Sequence, residues 1–180
     1  MEKYYTVDIC GRKEDLPIIA LPSGISIAFF NLHGNADLTE SCGKKIAERI
    51  SKEEIDILIT AETKGLQLTH VVARELGLSK YAVVRKSKKL YMPNAIEVKV
   101  QSITTKEEQT MYLSETDAKA IKGKRVCIVD DVISTGNSLK AMEEIVNLVG
   151  GKIVNKVAVL TEGDAIVRND ISYLATIPLL

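Results

Sequence analysis

Arg125-Val126-Cys127-Ile128-Val129-Asp130-Asp131-Val132-Ile133-Ser134-Thr135-Gly136-Asn137-Ser138 passes through several kinds of local structure in order. Val126 to Val129 are apolar, too few for a helix and bounded by polar residues, which predicts a fully buried strand of a parallel sheet. Asp130 and Asp131 then stand where that strand should leave the sheet. Ser134 to Ser138 make a small hydroxyl-rich turn. Beyond it Leu139, Met142, Ile145, Val146 and Val149 recur at helical spacing until Gly150-Gly151 stops the run. Strand, acid pair, loop and helix in that order put the polar residues at the carboxyl edge of an open α/β sheet, where such sheets bind ligands.

The chemistry follows from that placement. A Ser/Thr/Gly loop opening a helix offers free backbone N–H groups and hydroxyls, with the positive end of the helix dipole behind them, and so makes a cradle for a phosphate dianion. Asp130 and Asp131 would repel that phosphate. As hydrogen-bond acceptors they suit the paired hydroxyls of a sugar, or else a divalent cation. A ribose with phosphate at one end and a diol at the other satisfies both halves. The bland alternative, solvated acids ending a strand beside a capped helix, accounts for each piece but not for their order.

The bulk numbers bound the class. The 180 residues suit one domain with a real core. Twenty-four basic residues balance 24 acidic ones, so no global field recruits nucleic acid or an anionic membrane. No apolar run approaches the length of about eighteen residues that spans a bilayer. Met1-Glu2-Lys3-Tyr4-Tyr5 lacks the basic start and apolar block of a signal peptide. Cys10, Cys42 and Cys127 are odd in number and widely spaced, which predicts a reduced, cytoplasmic protein.

Val126 to Ser138 resembles the phosphoribosyl-diphosphate (PRPP) signature of type I phosphoribosyltransferases: four apolar residues, two acids, then a Thr-Gly-x-Ser/Thr turn. Neither a Walker loop nor a dinucleotide-binding glycine fingerprint occurs in the chain. The resemblance implies that Asp130 and Asp131 hold the ribose 2′- and 3′-hydroxyls and serve catalysis. It further implies that Val132, Ile133, Ser134, Thr135, Gly136, Asn137 and Ser138 complete the PRPP site around the 5′-phosphate.

A second strand–turn–helix unit lies upstream. Ile55 to Ala61 predicts a strand, Glu62-Thr63-Lys64-Gly65 a turn, and Leu66, Leu68, Val71, Val72 and Leu76 a helix stopped by Gly77. The turn resembles the family's pyrophosphate loop, which assigns Glu62, Thr63, Lys64 and Gly65 to pyrophosphate, with Lys64 as a cation. Tyr81 to Val84 reads as a short strand. Arg85, Lys86 and Lys89 follow where a departing pyrophosphate needs charge neutralisation. Leu90 to Tyr112 reads as a two-stranded ribbon with a polar tip, similar to the family's mobile loop, which closes over PRPP and excludes water. Glu107 is the nearest match to the loop Glu of adenine enzymes that is proposed to donate or accept a proton. Val100 to Thr104 looks more like xanthine enzymes and purine-operon repressors.

The ends of the chain supply the cover. A strand around Tyr4 to Ile9, a turn at Gly11 to Asp15, an apolar Leu16 to Leu21 and an alternating Ile25 to Phe29 precede Phe29-Phe30-Asn31-Leu32-His33-Gly34-Asn35. This segment fits a hood over the base, with Phe30 and Asn31 as base contacts, or equally an apolar turn packed on the core. Asp37-Leu38-Thr39-Glu40 caps a helix running to about Ile50. Lys152 to Leu160 predicts a strand ending in Thr161-Glu162-Gly163-Asp164. Family members acting on 6-oxopurines typically carry a lysine near this strand end, whereas here Glu162 stands either as an acceptor for a 6-amino group or, somewhat more readily, as a strand end in water. Ile171 to Leu180 reads as a closing strand or tail.

The expected fold is a doubly wound parallel α/β sheet of about five strands with a ribbon and a small hood. One domain spans residues 1–180, with hood from about 1–36 and the tail, and core from about 37–164. The resemblance implies transfer of 5-phosphoribosyl from PRPP to a purine, adenine preferred, with Mg²⁺ held through PRPP rather than by direct protein ligands. A homodimer is implied, with no nucleic acid or membrane partner. The alternatives are a xanthine or hypoxanthine–guanine enzyme, or a non-catalytic PRPP-sensing regulator.

Overall fold

The computed structural model describes residues 3–101 and 108–180. In chain order the elements are β1 (Tyr4–Ile9), β2 (Arg12–Ala20), β3 (Ser26–Ala28), α1 (Ala36–Ile50), β4 (Ile57–Ala61), α2 (Leu66–Glu75), β5 (Tyr81–Val84), β6 (Ile96–Gln101), β7 (Glu108–Leu113), α3 (Glu115–Ile121), β8 (Arg125–Ile133), α4 (Asn137–Leu148), β9 (Lys152–Glu162) and β10 (Ser172–Ile177). A 3-10 turn at Gly163–Val167 joins the last two strands.

Five strands form a parallel sheet in the order β10-β9-β8-β4-β5. Side-chain alternation divides its apolar runs between two cores. Leu58, Cys127, Val129, Val157 and Val159 meet α1 and α2 on one face. Ile57, Ile59, Val126, Ile128 and Ala158 meet α3, α4 and the ribbon on the other. Both faces are covered, which is why the strands read as unbroken apolar runs. The two helices on the first face cross closely at Gly43, where an added β-carbon would lie 2.5 Å from Val71 Cγ1.

Several local boundaries differ from the sequence reading. Asn35 rather than Asp37 caps α1, its side chain accepting from the Leu38 N–H at 3.1 Å. The turn expected over Gly11 to Asp15 shrinks to Cys10 and Gly11, whose φ values of 56° and 88° make a two-residue hairpin, and Arg12 to Asp15 already pair with β1. Helix α3, capped by Ser114, has too little apolar periodicity to be read in advance. Ribbon strands β6 and β7 pair from Ile96↔Leu113 to Gln101↔Glu108. Residues 102–107, including Glu107, lie outside the described residues.

The small antiparallel sheet β1-β2-β3 lies beside the C-terminal residues, with Ser26 and Leu180 exchanging backbone hydrogen bonds of 2.9 and 3.0 Å. On the opposite side of the sheet edge, Arg85 exchanges two 2.8 Å backbone hydrogen bonds with Tyr112, which fixes the root of the ribbon to the end of β5.

Candidate active site

The sequence reading ends β8 at the acid pair, but the strand runs through it. Asp130 pairs with Ala158, Val132 with Leu160 and Ile133 with Thr161, because β9 continues alongside. The two carboxylates are therefore fixed by sheet hydrogen bonding rather than carried on a loop. Asp130 Oδ1 accepts from the Asp131 N–H at 2.9 Å. Asp131 is 6% exposed, and its Oδ2 is buried with no hydrogen-bond partner among the described residues. Lys64 Nζ approaches that oxygen only to 4.0 Å, beyond hydrogen-bonding reach. Burial, and then the neighbouring Asp131 charge, push the Asp130 carboxyl well above the ordinary carboxylate range. An orphaned buried acceptor beside a second carboxylate is a site short of donors, and adjacent sugar hydroxyls are donors of the right spacing.

Residues 134–138 wrap a cavity of about 250 Å³ lined by Asp130 and Val132 to Leu139. Gly136 sits at the start of α4 with φ +78°, a conformation that turns the loop sharply and leaves the helix N-terminus uncapped by any side chain. No acidic residue occupies the first turn of α4. The loop thus presents helix N–H groups and hydroxyls to the cavity, with the dipole unopposed.

A second cavity of about 260 Å³ joins the acid pair to the other turn and is lined by Glu62, Thr63, Lys64, Lys86, Asp130, Asp131 and Ser138, among others. Lys64 and Lys86 are its cations. Gly65 is required sterically, since a β-carbon there would collide with Thr60 Oγ1. Glu62, assigned to pyrophosphate by the resemblance, makes different contacts. Its carboxylate accepts from Arg85 Nη1 at 3.0 Å and from the Lys86 N–H at 2.9 Å. Glu62 and Arg85 therefore hold the basic segment in place. Lys89 is turned aside, its Nζ donating to Ser87 Oγ at 2.7 Å, and it lines neither cavity.

The base contacts need correcting. Phe30 is 2% exposed, packed in the core with Leu32 and Leu38, and offers no ring face to a ligand. Asn31 is exposed and its Oδ1 accepts from the His33 N–H at 3.1 Å, closing a local turn. The aromatic next to a cavity-lining cation is Phe29, whose ring centroid lies 4.8 Å from Lys64 Nζ, although Phe29 itself lines neither cavity. With Ala28 of β3 buried, strand alternation turns the Phe29 side chain the other way. Glu162 is 7% exposed at the end of β9, next to Thr161, the partner of Ile133. Its side chain has no hydrogen bond or ion pair among the described residues, and it lines neither cavity.

A wider groove of about 640 Å³ between α1 and α2 holds His33 and His70 but no phosphate loop or acid pair. Among the described residues no cluster of three metal-ligating side chains occurs, and no helix is long and apolar enough to cross a membrane.

Comparison with known proteins agrees with this geometry. The chain is 36% identical over 126 residues to HGPRTase-like protein 3 of Haloterrigena turkmenica, a match covering 70% of this chain and just under two thirds (63%) of that protein. It is 34% identical to an adenine phosphoribosyltransferase of Brachyspira hyodysenteriae, over 67% of each chain. In three dimensions it resembles the adenine phosphoribosyltransferase of Rhodothermus marinus with a TM-score of 0.70 at 22% identity, covering 97% of this chain and 94% of that one. Residues 31–176, from just before α1 through the acid pair and the 134–138 loop to the last strand, match the phosphoribosyl transferase domain, and the chain belongs to that family.

Proposed function

We propose that the protein transfers 5-phosphoribosyl from PRPP to a ring nitrogen of a purine, adenine preferred, and releases pyrophosphate. The observation that carries this reading is the orphaned Oδ2 of Asp131, buried between the phosphate loop and the Lys64 turn. Diol acceptors lie in the middle, a dianion cradle at one end and two cations at the other, matching ribose, 5′-phosphate and diphosphate. Mg²⁺ would be held there through the diphosphate, since it needs few protein ligands. Bound there it neutralises charge on the leaving group. Asp130 and Asp131 then fix the sugar through its diol while Lys64 and Lys86 stabilise charge on pyrophosphate as its bond to ribose C1′ breaks and the base nitrogen bonds to C1′. Water is excluded by closure of the ribbon over the site. The three free cysteines suit a reduced cytoplasmic setting, and a homodimer is proposed on family resemblance alone.

Adenine is favoured because the Glu162 carboxylate, at the end of β9 and without a side-chain partner among the described residues, offers an acceptor for an amino group where 6-oxopurine enzymes of the family carry a lysine. The likeness to an HGPRTase-like protein favours a 6-oxopurine as the second reading. Pyrophosphate release from PRPP and Mg²⁺ with adenine, hypoxanthine, guanine and xanthine in parallel tests both. Turnover fastest with adenine is expected, and turnover with an oxopurine alone transfers the assignment to the second reading. Tight PRPP binding without turnover on any base makes the protein a sensor.

Phe29→Ala tests the base pocket. A base stacked on an aromatic loses roughly 1–3 kcal/mol on truncation to alanine, so KM for the base should rise about tenfold while KM for PRPP stays within about twofold. An unchanged base KM removes Phe29 from the pocket.

A further inference from the structure

The phosphate loop has no cation of its own between Ser134 and Ser138, yet a phosphate monoester seated there brings up to two negative charges close to Asp130. Arg168 supplies what is missing. It follows the 3-10 turn after β9, far in sequence from the loop, and its Nη1 lies 3.5 Å from where a β-carbon on Gly136 would sit.

The guanidinium is held by one edge. Nε donates to Asp170 Oδ1 at 2.9 Å and Nη2 to Asp170 Oδ2 at 2.6 Å, a two-pronged contact of fixed orientation. Nη2 also lies 3.6 Å from Glu143 Oε1, on the helix whose N-terminus forms the cradle. Lys156 of β9 pairs with Asp170 at 2.6 Å and with Glu143, so α4, β9 and the segment after the turn are tied at one point. Hydrogen bonds from Arg168 and then Lys156 hold the Asp170 carboxyl well below its usual range. Nη1 is left over. Among the described residues it has no partner, and it lies beside Gly136 of the loop, just outside the residues that line the cavity.

We propose that Arg168 is a phosphate-positioning residue, its Nη1 donating to a phosphate monoester in the 134–138 loop while Asp170 and Glu143 hold the guanidinium in place. This rests on the reading of the loop as the 5′-phosphate site. Asp170 and Glu143 act only through Arg168. A short loop of uncharged residues thereby gains a cation without placing one beside the acid pair.

Calorimetric titration of ribose 5-phosphate and of inorganic pyrophosphate into the parent protein, Arg168→Ala and Arg168→Lys tests it. Arg168→Ala should weaken ribose 5-phosphate about 10- to 100-fold, the range of a hydrogen bond to a charged group, and leave pyrophosphate within about twofold. Arg168→Lys keeps the charge but not the second reaching nitrogen, and should fall between. It also supplies the folded comparison if the alanine variant does not fold. Equal affinity for ribose 5-phosphate in parent and lysine variant, or equal weakening of both ligands, overturns the proposal and leaves Arg168 a structural ion pair. A parent that binds neither ligand nor PRPP instead defeats the reading of the loop itself.

Discussion

Asp130→Asn with Asp131→Asn should lose PRPP-dependent turnover by about 10³-fold while the protein becomes more stable at alkaline pH. The first half follows from hydrogen bonding. The two carboxyl groups accept from the bound hydroxyls, each contact contributing roughly 1–3 kcal/mol, and an amide retains only part of that. The loss should appear in PRPP affinity, with Kd for pyrophosphate little changed. The second half follows from the raised Asp130 carboxyl, pushed up to about 8 by burial and then by the charge of Asp131. The folded protein holds that proton when the unfolded chain has released it. The resulting stability is present below the ordinary carboxylate range and disappears as pH rises through about 8. An amide never charges, so the variant avoids the penalty. Its Tm should exceed the parent's at pH 8.5 by a few degrees, each 1 kcal/mol shifting Tm by about 2–4 °C at this size, and the gap should close toward pH 4. Unchanged PRPP affinity would falsify the ribose assignment. A Tm lowered at both pH values would mean that the pair holds the fold rather than the ligand.

That the sequence marks out the sheet strands and the loops around the acid pair has a physical reason. Val126 to Val129 and Ile57 to Ala61 are buried on both faces, and a strand in that position has to be continuously apolar. The phosphate cradle is built from one unbroken segment, so its residues and its geometry share one stretch of sequence. Glu62, Arg85 and Arg168 are different. What Glu62 does depends on a contact with a residue 23 positions away, and Arg168 reaches Gly136 only because β9 returns beside β8. No periodicity carries such information. The choice between Phe29 and Phe30 turned on a single residue of register, and a slip of one flips a strand's side chains between core and cleft. Adjacent like residues give sequence no way to tell them apart, except through the burial of Ala28 before them.

Gly136→Val should be the most damaging single change in the phosphate half. At φ +78° the glycine occupies a left-handed conformation that costs an L-residue roughly 1–2 kcal/mol, and a β-branched residue more. The added carbons would also grow toward Arg168 Nη1, which a β-carbon already meets at 3.5 Å, and into the space that the dianion needs. PRPP KM should rise by at least about 100-fold, because a strained loop and a filled cradle each remove phosphate contacts of roughly 1.5–3 kcal/mol. Backbone strain alone has to be separated from occlusion. Gly123 provides the control: its φ is +72°, nothing lies within 4 Å of an added β-carbon, and it lines neither site cavity. Gly123→Val should therefore lower Tm as strain does, by several degrees, and leave PRPP KM within about twofold of the parent. If Gly136→Val retains full turnover at parental KM, phosphate does not seat in the 134–138 loop. If both variants lose activity in proportion to Tm, the loop matters for stability and the cradle is not the binding element. Loss of PRPP affinity confined to Gly136→Val, at matched Tm, leaves occlusion of the phosphate site as the cause.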